Sequence, residues 1–184
     1  MLRITKTALN QRWAVCTALA IVCFAVIAML DSSLRSQSGL GTADLQNFVF
    51  AGQYQSAHLA WTSMPLALRA GFALGFDYLF MPLYAASFFY SGIIAREAFA
   101  PRPSRLRRLL TLLAAVPIAG AVLDACENGL EMSMLLGGAD NTMARIAFTI
   151  SNAKMGAIYV GLVLLAGALL ARSYDRRKRK PTPP

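Results

Sequence analysis

The sequence has few charged residues and only one histidine. Of its 184 residues, 15% are charged and 57% are hydrophobic, and the mean hydropathy is +0.50. A soluble domain carries about a quarter charged residues, so this chain has too little polar surface to cover a water-soluble globule. The solitary histidine, His58, excludes a bis-histidine haem or a multi-histidine metal centre within one chain.

Reactive motifs are also missing. The three cysteines, Cys16, Cys23 and Cys126, lie in apolar stretches and form no C-x-x-C pair, which excludes the usual redox and zinc motifs. There is no nucleophile-and-base motif and no phosphate-binding loop. The sequence therefore favours a protein that is not an enzyme, and it predicts no cofactor.

Four apolar stretches are long enough to cross a hydrocarbon core, which takes roughly 20 helical residues. They cover about residues 13–30, 70–94, 109–136 and 146–171. A signal peptide is the alternative for the first stretch, but its apolar run is long and no clear cleavage site follows, which favours a retained anchor. The predicted fold is all-α: residues 1–171 form one membrane domain, a four-transmembrane-helix antiparallel bundle.

Lys and Arg residues gather on one predicted side of the membrane. Three precede the first stretch, five lie within residues 96–108 and six within residues 172–184, whereas the opposite side holds Arg35, Arg69 and Arg145. Cytoplasmic loops carry such an excess. This predicts a bacterial inner-membrane protein with both termini in the cytoplasm. The basic loop and the tail, residues 172–184, which is predicted to be disordered, would contact anionic lipid headgroups rather than nucleic acid.

A long segment separates the first two spans. Its beginning, residues 31–41, is rich in Ser and Gly and is predicted to be a loop. Residues 42–63 have a composition that suits a helix, with apolar and polar residues interleaved and Trp61 as an interfacial anchor. We expect one external interfacial helix that covers the outer end of the bundle.

Ionisable residues within the spans are the most informative feature. Asp77 lies on span two, Lys154 lies on span four, and span three holds Asp124, Glu127 and Glu131. A charged group near mid-bilayer costs about 2.5–3.5 kcal/mol on insertion scales, so such groups face the interior and find partners. Helical spacing aligns the acids of span three, and all three spans place them at comparable depth in the outer half. Glu131 is expected near the headgroups, where solvent reaches it.

These groups predict one polar pocket, with candidate binding residues Asp77, Tyr84, Asp124, Glu127, Asn128 and Lys154. Several carboxylates against one lysine in a low dielectric cannot all stay ionised. The first hypothesis is that the pocket binds a proton, a cation or a small amphiphile. A structural clasp, with Asp77 paired to Lys154, in an accessory subunit is the alternative. A lipid-modifying enzyme with a carboxylate base is the third.

Two short patterns resemble a known family. The pattern D-Y-L-F-x-x-x-Y runs from Asp77 to Tyr84, and G-x-x-x-D-x-x-E-N runs from Gly120 to Asn128. Together they resemble small bacterial four-helix integral membrane proteins, a family without an assigned function. The resemblance covers roughly residues 42–170 and implies the fold, the membrane location and joint action of Asp77, Asp124, Glu127 and Asn128.

Small residues also recur at helical spacing within the spans, as at Gly71 and Gly75. Such stripes allow close packing of helices, so a homodimer or a partner membrane protein is left open.

Overall fold

The protein is all-helical over the part of the chain that the structure describes. This computed structural model describes residues 5–100 and 102–178, with side chains described as far as residue 174. Four long helices form a bundle: α1 (Lys6–Ser38), α3 (Met64–Phe99), α4 (Arg105–Ser133) and α5 (Asn141–Lys178). Short helix α2 (Ala51–Ala60) follows a 3-10 turn, Thr42–Asn47, and a π-helical turn, Met134–Gly138, continues α4.

The four long helices are confirmed as long and apolar enough to cross a membrane. The first, second and fourth predicted spans each fall within one of these helices. The third begins in α4 and ends in the π-helical turn that follows it. Large apolar side chains such as Ile21, Val163 and Leu170 point outward and are 62%, 72% and 67% exposed. An apolar surface of this extent marks a molecule that needs a non-aqueous surrounding.

Polar bonds join α1 to α3 along their lengths. The indole of Trp13 donates to Ser91 Oγ at 2.8 Å, and Thr17 shares a hydrogen bond of 2.7 Å with Ser87. Towards the other end of the two helices, Arg69 donates to Ser33 Oγ at 3.0 Å. Residues near the start of α1 thus contact residues near the end of α3, and residues near the end of α1 contact residues near the start of α3.

Small residues let the other helices approach closely. Gly120 of α4 faces Ala157 of α5, and any side chain at Gly120 would overlap that alanine. Gly161 of α5 accommodates the ring of Phe88 from α3 in the same way. Helices α3, α4 and α5 therefore pack against one another around a common centre, as small-residue contacts permit where apolar burial drives little association.

The predicted loop at residues 31–41 is wrong for most of its length, because α1 continues to Ser38. The polar side chains favour the helix here: Ser36 bonds to the Ser33 carbonyl and Ser38 to the Leu34 carbonyl. Gly39 then ends the helix with φ of 78°, a left-handed conformation that glycine adopts without steric cost. Ser-rich composition indicated a loop, but the stop signal is the glycine.

The single external helix predicted at residues 42–63 is also wrong, because it is two short helices with an extended link at Phe48. Gln53 explains the break. Its side-chain oxygen accepts from the backbone N–H groups of Val49 and Phe50 at 2.7 and 2.9 Å, which starts a new helix at Ala51. We call residues 42–60 the lid.

The lid packs over one end of the bundle. Leu45, Tyr54 and Ala57 are buried there. They join one apolar core with side chains of α1, α3, α4 with its π-helical turn, and α5, including Leu34, Leu74, Met134 and Ala144. His58 points away and is exposed. The lid therefore closes the end of the bundle opposite the α3–α4 connection.

At the other end, α5 extends to Lys178, beyond the predicted end of span four. Arg and Lys are good helix formers, and nothing in residues 172–178 interrupts the helix. The disorder predicted for residues 172–184 is therefore wrong for residues 172–178, which continue helix α5, and its remainder, residues 179–184, lies outside the described residues.

Candidate functional site

The six predicted site residues come together between α3, α4 and α5. Spacing along α4 is the local cause: Asp124, Glu127 and Asn128 are three and four residues apart and so share one face. All three are buried, with Glu127 fully inaccessible. Asp77 and Tyr84 meet that face from α3, and Lys154 meets it from α5. We call these six residues the acid–lysine cluster.

Lys154 is the cation of the cluster. Its Nζ lies 3.0 Å from Asp124 Oδ1 and 2.6 Å from Glu127 Oε2. The lysine side chain is 3% exposed and its two partners 6% and 0%. The α5 backbone reaches α4 closely beside this pair at Gly120 and Ala157, one turn along each helix. A lysine shared by two carboxylates is thus held away from solvent.

The α3 residues bind the same α4 face. Tyr84 donates its hydroxyl to Asp124 Oδ2 at 3.0 Å, so both oxygens of Asp124 have partners. Asn128 donates its amide to Asp77 Oδ2 at 2.8 Å. The predicted pairing of Asp77 with Lys154 is replaced by these contacts, because Lys154 reaches the two acids of α4 that lie nearest to α5.

The cluster has more negative than positive groups. If all were ionised, Asp77, Asp124 and Glu127 would carry three negative charges against one from Lys154. Glu131, one turn further along α4, adds a fourth acid. It is 2% exposed, so its predicted position in solvent is wrong.

Glu131 and Tyr54 belong to the site although neither was predicted there. Tyr54 of the lid is fully buried, and its hydroxyl donates to the Leu45 carbonyl at 3.2 Å. The pKa of Tyr54 is raised mainly because the side chain is buried, and to a smaller extent by the carboxyl groups of Glu131 and Glu127. The spacing of Tyr54, Ala57 and Trp61 gives α2 one buried face, which was the available sequence signal.

Three comparisons with known proteins add no relative. No family model, curated protein or solved structure matches the chain. The likeness to small four-helix membrane proteins therefore rests on the two short patterns alone.

The packing bears on what the cluster can hold. Within residues 5–100 and 102–174, no three or more His, Cys, Asp or Glu side chains are grouped so that they could hold a metal ion. Tyr84, Asp124, Glu127, Asn128 and Lys154 are at most 4% exposed, whereas Asp77 is partly exposed, so the cluster is open to an amphiphile at Asp77 alone. A proton needs neither coordination geometry nor an open face.

Proposed function

We propose that this chain is a four-span membrane protein whose acid–lysine cluster binds a proton within the bundle. The single observation that carries the proposal is the charge imbalance: Lys154 is already shared by Asp124 and Glu127 at 3.0 and 2.6 Å, and the remaining acids lack a comparable cation. An unpaired buried carboxylate is strongly disfavoured. Each bound proton removes one unit of the excess charge without any rearrangement.

The proposed arrangement in the membrane is an antiparallel bundle in a bacterial inner membrane. The opposed pairings of α1 with α3 support the antiparallel order. The placement of 14 of the 18 Lys and Arg residues in the first arm, the middle loop and the tail supports cytoplasmic termini. The lid then lies at the outer surface as an interfacial cover. Anionic lipids at the basic segments, and a homodimer or a partner membrane protein, are further parts of this proposal.

The test is the pH dependence of unfolding in detergent, from about pH 4 to about pH 9. If the native cluster holds one proton more than the unfolded chain, the free energy of unfolding falls as pH rises, by about 1.4 kcal/mol per pH unit. The sign follows because deprotonation then favours the unfolded state. Asp124→Asn removes one negative charge and should flatten this slope.

Glu97→Gln is the matched control, since Glu97 is an exposed acid paired with Arg96 and Arg107 at 2.7 Å. It should leave the slope unchanged above about pH 5, because Arg107 and Arg96 lower the pKa of Glu97 and its own titration is confined to more acidic pH. A flat profile for the wild type, with Asp124→Asn merely less stable at every pH, would refute proton binding.

That flat profile would favour the structural alternative, which has its own supporting observation. Every contact of the cluster joins two helices: Tyr84 and Asp77 tie α3 to α4, and Lys154 ties α5 to α4. In this case the cluster is a clasp that fixes the three helices, and the protein acts through a partner.

A further inference from the structure

Glu131 stands between the acid–lysine cluster and the lid. It lies one turn from Glu127 on the same face of α4, while its neighbours Leu130 and Met132 pack against the apolar core beneath the lid. Its Oε1, like Oε1 of Glu127, is buried and has no hydrogen-bond partner within the described part of the chain. A buried oxygen left in this state calls for a proton or a water molecule.

Among the residues whose side chains the structure describes, the ionisable groups that interact electrostatically with Glu131 include no free cation. On α4 these are Glu127 and Asp124, on α3 it is Asp77, and on α5 it is Lys154, which the two α4 acids share. The lid contributes Tyr54, whose hydroxyl is directed to the Leu45 carbonyl. An ionised Glu131 would thus add a charge to a surrounding that is already negative.

We propose that Glu131 is the proton-exchange residue of the site: it carries a proton and exchanges it with water at the lid end when the lid moves. This inference rests on the proposed proton-binding function and adds the residue and the side from which the proton arrives. The helical ladder Glu131, Glu127, Asp124 then leads from the lid to Lys154.

Hydrogen bonds attach the lid at its start and at its middle, and a single substitution can remove each attachment. The backbone N–H of Ala51, where α2 begins, donates to Asn141 Oδ1 of α5 at 2.9 Å. At the start of the lid, Thr42 Oγ1 and the Ala43 N–H donate to Asp31 Oδ1 at 3.2 and 2.9 Å. Loss of either anchor raises the fraction of molecules in which the lid is displaced.

The first measurement uses dicyclohexylcarbodiimide, which partitions into apolar sites and reacts with protonated carboxyl groups. The carboxyl proton passes to a carbodiimide nitrogen and the carboxylate oxygen bonds to the central carbon. An acyl shift to nitrogen then gives a stable adduct from which nothing leaves. We expect the adduct on Glu131, mapped by mass spectrometry of the digested full chain, and its loss in Glu131→Gln.

The second measurement uses a water-soluble carbodiimide, which reaches Glu131 only with water. Asn141→Ala should raise the rate of modification at Glu131 by about threefold to tenfold, the effect of losing one hydrogen bond. Asn152→Ala is the matched control, because Asn152 is an exposed asparagine on the same helix that bonds only to the Phe148 carbonyl of its own helix. Asp31→Ala, which removes the acceptor of Thr42 and Ala43, tests the other lid anchor if Asn141→Ala does not fold.

Two results would overturn the inference. One is a folded wild type in which dicyclohexylcarbodiimide leaves Glu131 unmodified across the pH range. The other is equal modification by the water-soluble reagent in the wild type and both lid variants. Either result can be obtained while the free energy of unfolding depends on pH and Asp124→Asn flattens that dependence. In that case Glu131 is not the proton-exchange residue, but the proposed proton-binding function stands. A flat unfolding profile removes the proposed function, whatever is found at Glu131.

Discussion

Replacement of Lys154 by methionine gives the most direct measure of the buried charges. The substitution keeps the length and apolar stem of the side chain and removes the ammonium group that Asp124 and Glu127 share. Two carboxylates are then left without their cation at sites that are 6% and 0% exposed. Removal of one partner from a buried ion pair costs about 3–5 kcal/mol, and we expect Lys154→Met to fall in this range at neutral pH.

The assay is reversible unfolding of the detergent-solubilised protein, followed by circular dichroism at several pH values. The deficit should shrink at acidic pH, because carboxylic acids are neutral when protonated and then need no cation. The triple variant with Asp124→Asn and Glu127→Gln should recover most of the loss, since amides carry no charge to leave unpaired. Arg145→Met is the control, because Arg145 is an exposed cation on the same helix.

A loss of less than about 1 kcal/mol for Lys154→Met, the value of an exposed ion pair, would refute the reasoning. The same holds if the triple variant is less stable than Lys154→Met alone, because the cost would then come from lost packing or hydrogen bonds rather than from charge.

Three further substitutions test the contacts around the cluster by the same unfolding measurement. Gly120→Val should cost about 1–3 kcal/mol, because the new side chain overlaps Ala157; an unchanged stability would show that the two helices do not approach there. Asn128→Leu should cost about 1–3 kcal/mol by leaving Asp77 without its donor, and Asp77→Asn in the same chain should recover part of it. Tyr84→Phe should cost about 1.5–3 kcal/mol if its acceptor is ionised, and a neutral effect would contradict an ionised acceptor.

The long helices and the composition of the site could be predicted because each depends on local information. Hydropathy over about 20 residues identifies a helix that can cross a membrane, and spacing of three and four residues places Asp124, Glu127 and Asn128 on one face. Their common burial followed from the cost of isolated charge in an apolar surrounding. None of these steps required knowledge of which helix lies beside which.

The choice of partners could not be predicted for the opposite reason. Whether Lys154 reaches Asp77 or the acids of α4 depends on how α5 is placed against α3 and α4, and that is set by contacts such as Gly120 with Ala157. The burial of Glu131, at 2% exposure, is likewise a property of the folded arrangement, whereas its position late in α4 predicts a place near the headgroups. The division of the lid did have a local signal: Gln53 accepts from Val49 and Phe50, four and three residues before it, and the prediction of a single helix overlooks this cap.

The order of the helices along the chain bears on biosynthesis. Helix α4, with its three acids, leaves the ribosome before α5 brings the lysine that two of them need. Each ionised acid costs about 2.5–3.5 kcal/mol at the centre of a solitary membrane helix, so α4 is a poor segment to insert by itself. Only residues 134–140 separate it from α5. We expect the two to enter the bilayer as a nascent hairpin, which makes the pair rather than the single helix the unit of insertion.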